Sequence, residues 1–208
     1  MVEVRSDILS WVESHPVFLT TLEPLPDDQT APPIVRAMLR AGTAASVGPM
    51  AAVAGAIAEA VGRTLQERFT LKEIVVENGG DLWISIHEPL IVSIYAGLSS
   101  LSEKIGITVS PELSPCGLAT SSGTVGPSLS YGKADAAVAI ATDAAAADAW
   151  ATALGNRCRA WAQAEDAVRQ LVSPERPELR GVLVVMADKL AASGAIRLTP
   201  LQKYRDSL

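Results

Sequence analysis

The chain has 208 residues and a formal net charge of -6, with 49% hydrophobic and 19% charged residues. This balance excludes disorder, and the absence of a basic stripe excludes a nucleic-acid partner, because nothing would neutralise successive phosphates. Aromatics are only 4%, so the hydropathy is carried by Ala, Val, Leu and Ile. The apolar run Pro49 to Ala58 is far short of the roughly 20 residues that cross a bilayer, so no membrane partner is expected.

Val4 to Ser14 predicts a short amphipathic helix, preceded by Met1-Val-Glu-Val-Arg5 rather than a signal-peptide pattern. A cytoplasmic location is expected, with Cys116 and Cys158 as reduced thiols. Neither has a CxxC partner and His15 and His87 stand alone, so no soft-metal site is expected. Pro24, Pro26, Asp27, Asp28, Pro32 and Pro33 mark an exposed connection, or a helix start at the second proline pair. Ile34 to Ala45 continues helically, and Gly48-Pro49 opens a second helix through Arg68. Ala51, Ala52, Ala54, Gly55, Ala56 and Ala58 leave that helix almost bare, as suits one lying close to a sheet or a ligand.

Strands are predicted at Glu73 to Glu77, Leu82 to His87, Leu90 to Ala96, Ile105 to Val109, Cys116 to Ser122 and Ala136 to Thr142. A long helix follows from about Asp143 to Val172, capped by Thr142 or Asp143 and interruptible at Gly155-Asn156. Gly181 to Met186 and Ala195 to Leu198 then predict a closing strand pair. Helices first and last around a block of strands make an α+β order within one domain.

Three segments have the composition of a site. In Asp148-Ala-Trp-Ala-Thr152 a spacing of four puts a carboxylate and a hydroxyl on one helix face, where both could reach one Mg²⁺. The alternative is an Asp near a helix start and a Thr bonded back to the preceding turn. In Glu77-Asn78-Gly79-Gly80-Asp81 the two glycines let backbone amides approach a nucleotide, or simply turn a hairpin. In Thr120-Ser121-Ser122-Gly123-Thr124-Val125-Gly126 hydroxyls and glycines suit phosphate or carbonyl oxygens, or a polar turn. The last segment is neither a Walker A loop nor a GxSxG elbow, and nothing places His87 beside Ser121 or Ser122 as a hydrolase would need.

Taken in order, these segments resemble the ApbE-type flavin transferases. That family carries a small-residue helix, a Gly-Gly-Asp hairpin, a Thr-Ser-Gly loop and an Asp-Ala-x-Ala-Thr helix, matched here by Pro49–Val61, Asn78–Asp81, Thr120–Gly123 and Asp148–Thr152. The chain is still more similar to an uncharacterised ApbE-like family with Val-Gly-Pro-Met-Ala, Glu-Asn-Gly-Gly-Asp and Thr-Ser-Ser-Gly-Thr-Val-Gly segments. Val47–Ala51, Glu77–Asp81 and Thr120–Gly126 match these.

The resemblance implies an ApbE-like α+β fold with mixed or antiparallel sheets packed against helices. It also implies a flavin (FAD or FMN) or another phosphorylated small molecule, bound with Mg²⁺ at Asp148 and Thr152. Asn78, Gly79, Gly80, Asp81, Thr120, Ser121, Ser122, Gly123 and Thr124 would contact that ligand. Two departures stand out. The transferases' Lys, in a Lys-Gly pair, is Ala54 before Gly55, and a His of the more similar family is Pro127. The transferases' His-x-x-Asp-Pro segment has no counterpart in Ser128 to Asp135. Two functions follow as expectations: a Mg²⁺-dependent transferase or pyrophosphate-cleaving enzyme, or a non-catalytic binding protein whose alanine-rich faces serve assembly, for instance as a homodimer.

Overall fold

The computed structural model describes residues 2–124 and 132–201. Helices α1 (Val2–Ser14), α2 (a single turn, Val17–Thr20) and α3 (Pro33–Ala45) come first. A 3₁₀ turn at Pro49–Ala52 then leads into α4 (Val53–Arg68). The strands follow as β1 (Ile74–Asn78), β2 (Asp81–Ser85), β3 (Leu90–Ser93), β4 (Ile105–Val109), β5 (Cys116–Ser121) and β6 (Ala136–Ala141). Helices α5 (Ala144–Arg157) and α6 (Trp161–Leu171) precede β7 (Leu179–Met186), β8 (Lys189–Gly194) and β9 (Leu198–Pro200). One antiparallel sheet runs β1-β2-β5-β6-β7-β8 and a smaller one runs β3-β4-β9, so the α+β expectation holds.

Three layers result, and β6 shows why. Its Ala137, Ala139 and Ala141 face the helices, while Ala136, Val138 and Ile140 face the small sheet, where Ile107 and Val109 meet them. The period of two thus sends small side chains to the helical side, letting α5 lie almost on the sheet. Gly117 of β5 makes the same allowance, since a Cβ there would stand 2.4 Å from Ala144 Cα. On the other side of α5, a Cβ on Gly55 of α4 would stand 2.0 Å from Ala144 O. The alanine-rich α5 is therefore wedged between α4 and β5, and bulkier side chains would not fit.

Asp143 caps α5, accepting from Ala146 N–H at 2.8 Å, and Glu59 of α4 accepts from Ala144 N–H at 2.8 Å. The predicted long helix is two helices: α5 runs through Arg157 and the break falls at Cys158 to Ala160, where Cys158 O accepts from Lys133 N–H. The closing strand pair is also corrected. β7 pairs with Lys189–Gly194, and the chain then turns away at Gly194, φ +74°, so that β9 joins β4. Lys-Leu-Ala-Ala-Ser-Gly has little strand propensity and forms a strand because β7 offers it an edge. Among the described residues no single helix is long and apolar enough to cross a membrane.

Candidate functional site

The three sequence segments converge. The β1–β2 hairpin turns through Gly79 and Gly80, at φ +67° and +103°, conformations that favour glycine. That turn delivers Asp81 to the first position of β2. The end of β5 brings Thr120 and Ser121 alongside, and α5 presents Asp148 and Thr152 one turn apart. Two cavities meet at Asp81, Asp148 and Thr152. One, of about 390 Å³, is walled by Gly79, Gly80, Thr120, Ser121, Ser122 and Tyr95 among others. The other, of about 320 Å³, is mostly apolar and lined by Leu19, Leu22, Met50, Val53 and Ala54 among others.

Asp148 is held by α4. Its Oδ2 accepts from Gly55 N–H at 3.0 Å, which is possible because Gly55 has no side chain to separate the helices. Thr152 has no side-chain hydrogen bond among the described residues, so its hydroxyl does not bond back to the preceding turn. Asp81 is 8% exposed and its Oδ1 accepts from Thr120 N–H at 3.3 Å. Burial raises the Asp81 carboxyl to about 7; the Thr120 bond opposes this and the Glu77 charge adds to it. Burial, and then the charge of Asp81, holds Asp148 well above the ordinary carboxylate range, against the bonds from the Gly55 and Ala54 amides.

No Lys, Arg or His is among the described residues lining either cavity. The amides expected to face a ligand are partly committed elsewhere: Gly80 N–H donates to Glu77 Oε1 at 2.7 Å and Thr120 N–H to Asp81. Asn78 is committed too, its Nδ2 donating to Ala54 O at 3.1 Å and tying the hairpin to α4. Ala54 thus puts a methyl on the apolar cavity wall and uses its carbonyl to hold the hairpin.

Gly123 and Thr124 stand apart from the cavity. Gly123 packs against Gly132 O, and the Thr124 hydroxyl donates to Asp135 Oδ1 at 2.9 Å, so both secure the exit of β5. Pro127, Val125, Gly126 and Ser128 to Tyr131 lie outside the described residues. Sequence reasoning missed Tyr95, Ser93 and the Leu19–Leu22 wall. No local pattern marks them, because only the tertiary fold carries the ends of α2 and β3 to this corner.

A second groove, of about 560 Å³ and more open, lies between α3, α4 and the start of α5. Of its three acids, Glu59 and Asp143 hold the α5 N-terminus and Glu178 accepts from Trp150 Nε1–H at 3.2 Å; Arg40 and Arg63 also line it, and none of the sequence-predicted residues borders it. The sequence-predicted residues that reach a cavity therefore gather at the Asp81–Asp148 corner and not in the larger space.

A family model described as "AbpE bacteria" matches residues 1–191. A UPF0280 protein of Methanothrix thermoacetophila is 39% identical over 207 residues, covering 99% of this chain and 84% of its own. A UPF0280 protein of Methanosarcina barkeri is 38% identical over 192 residues, covering 92% and 75%. The crystal structure of the ApbE protein from Thermotoga maritima superimposes with a TM-score of 0.53 at 17% identity. That match covers 71% of this chain and 51% of the solved one, so this chain spans about half of the solved protein and the likeness shows the fold alone. By the family match and these relatives, the chain belongs to the AbpE bacteria family, related to the uncharacterised UPF0280 proteins, and carries an ApbE-like fold.

Proposed function

We propose that this protein binds a phosphorylated, nucleotide-like ligand of the flavin class, with Mg²⁺ held at Asp148 and Thr152. The observation that carries the reading is the charge of the site: two buried carboxylates border cavities whose described walls contain no cationic side chain. A phosphate would meet only repulsion there unless a metal ion accompanied it. A carboxylate and an unengaged hydroxyl fit Mg²⁺, which takes hard oxygens, needs few protein ligands and keeps water or phosphate in its remaining positions. When bound, the ion would stabilise negative charge on phosphate oxygens. The chain's own residues divide the rest: Thr120, Ser121 and Ser122 offer hydroxyls to polar ligand groups, and Leu19, Met50 and Val53 exclude water from an apolar one.

A second reading, ligand binding without turnover, is favoured by one observation. Where the flavin transferases have a Lys, Ala54 offers only a methyl and a carbonyl already bonded to Asn78. The test that separates the two is incubation with FAD, with and without Mg²⁺, followed by mass spectrometry of products and fluorescence titration of binding. Mg²⁺-dependent release of FMN and AMP, lost in Asp148→Ala, supports the enzyme. Mg²⁺-dependent binding without product supports the binding protein. Flavin affinity indifferent to both Mg²⁺ and Asp148→Ala would sink the metal-centred reading altogether.

A further inference from the structure

The metal corner drawn from the sequence, Asp148 and Thr152, leaves the other buried carboxylate of the site, Asp81, without a part. We propose that Asp81 is a second anionic ligand to the same ion, so that the divalent cation binds before any phosphorylated ligand arrives. This rests on the reading of Asp148 and Thr152 as the metal corner.

Asp81 and Asp148 come from unrelated elements, a hairpin end and the middle of a helix, yet both border the same two cavities together with Thr152. Backbone amides anchor both side chains, Asp81 through Thr120 N–H and Asp148 through Gly55 and Ala54, which fixes the two carboxyls at the cavity walls. Asp81 is the one polar or charged residue among the fully buried set of described residues. Burying a carboxylate is costly unless a proton, a base or a metal compensates it, and no base is within the described walls. Glu77, the third acid on the polar cavity, is turned toward Gly80 N–H and adds negative charge without relieving any.

No three His, Cys, Asp or Glu side chains among the described residues converge on one point. A carboxylate pair with a hydroxyl is the donor set left, hard enough for Mg²⁺ and too sparse for a closed structural zinc site. Two carboxylates on the same cavity walls can supply two negative charges to an ion, where Asp148 alone would supply one and would depend on the ligand's phosphate for the rest. That difference decides the order of binding.

The probe is Mn²⁺, counted by electron paramagnetic resonance in titrations of the full chain without nucleotide. One site displaced by Mg²⁺ is expected, weakened at least about tenfold by either Asp81→Asn or Asp148→Asn, since even outer-shell changes commonly cost that much. Asparagine retains an oxygen for Thr120 N–H, so Asp81→Asn should unfold in EDTA at no lower a temperature than the wild type. Wild-type affinity in Asp81→Asn beside a loss in Asp148→Asn overturns the assignment of Asp81 while the Asp148 corner stands. Mn²⁺ binding that appears only after FMN is added overturns the order of binding. No Mn²⁺ binding under either condition overturns both this inference and the function on which it rests. Wild-type protein supplies an independent check through Fe²⁺, ascorbate and peroxide, which cut the backbone beside a bound metal. Cuts are expected near Gly80 to Leu82 as well as near Asp148, and cuts confined to α5 overturn the proposal.

Discussion

Gly55→Ala isolates the contact on which the site depends. Helix propensity alone predicts a gain of about 1 kcal/mol, because glycine is the weaker helix former inside α4. Packing predicts the reverse. The new Cβ would fall 2.0 Å from Ala144 O and 2.9 Å from Asp148 Cβ, so α4 must retreat from α5 before the methyl can be seated. Overpacking of this kind typically costs about 1–3 kcal/mol. The retreat also stretches the Gly55 N–H bond to Asp148, now 3.0 Å, and a hydrogen bond to a charged group contributes roughly 1.5–3 kcal/mol. Together these outweigh propensity and leave a net loss of about 2–4 kcal/mol, or roughly 5–15 °C in a domain of this size. Urea unfolding measures it, with Ala60→Gly on the same helix as a control that should lose only about 1 kcal/mol. A Gly55→Ala protein as stable as the wild type would refute the close approach of the two helices, and with it the anchoring of Asp148.

Two further outcomes follow from the site and its helix. The Asp81 carboxyl is raised from 3.8 to about 7, so the folded state binds more protons than the unfolded one between those values, and metal-free protein loses stability as pH rises through that window. The loss has an upper bound of about 4 kcal/mol at ~1.36 kcal/mol per pH unit. Denaturant midpoints from pH 4 to 8 in EDTA should fall in the wild type and fall less steeply in Asp81→Asn, where only Asp148 stays raised; parallel profiles would disprove the burial argument. Asp143→Ala removes the cap of α5 and should cost about 1 kcal/mol by thermal unfolding, within a range of roughly 0.5–2. An unchanged melting temperature would show that the Glu59 bond to Ala144 N–H carries that helix end alone.

The legible parts of the fold were those whose signal is local. β-branched runs announced β1, β4 and β7, and Asn78-Gly79-Gly80-Asp81 announced the turn that joins β1 to β2. The bareness of Ala54-Gly55-Ala56 announced close packing but not its partner, which lies 93 residues along the chain at Asp148. β8 was invisible because its residues are strand-like only beside β7. The break before α6 was expected at Gly155-Asn156 but falls at Cys158 to Ala160, where Cys158 O accepts from the N–H of Lys133, a residue outside the helix. The site shows the same division. Asp148 and Thr152 were singled out by helical spacing and read as a metal corner only through the family resemblance, and Asp81 and Thr120 were singled out as parts of polar loops. That Asp81 and Thr120 bond each other, and that α2 and the β3 end wall the cavities, are long-range facts with no counterpart in any window of sequence.

Ala54 ties the chemistry of the corner to its architecture. A lysine at that position would set a cation on the wall of a cavity bordered by Asp81 and Asp148, where it could neutralise the pair or pair with a phosphate. With alanine there, the described walls hold no cation, and on the proposed reading both tasks would fall to a metal ion. Metal and phosphate are then coupled: the factor by which Mg²⁺ strengthens binding of the anion equals the factor by which the anion strengthens binding of Mg²⁺. Asp81, if it is a second ligand as proposed, would lower that factor, because a second carboxylate lets the ion bind well without the phosphate and so leaves less for the phosphate to add. Weak coupling with tight metal binding therefore belongs to a dicarboxylate corner, and strong coupling with weak metal binding to Asp148 acting alone.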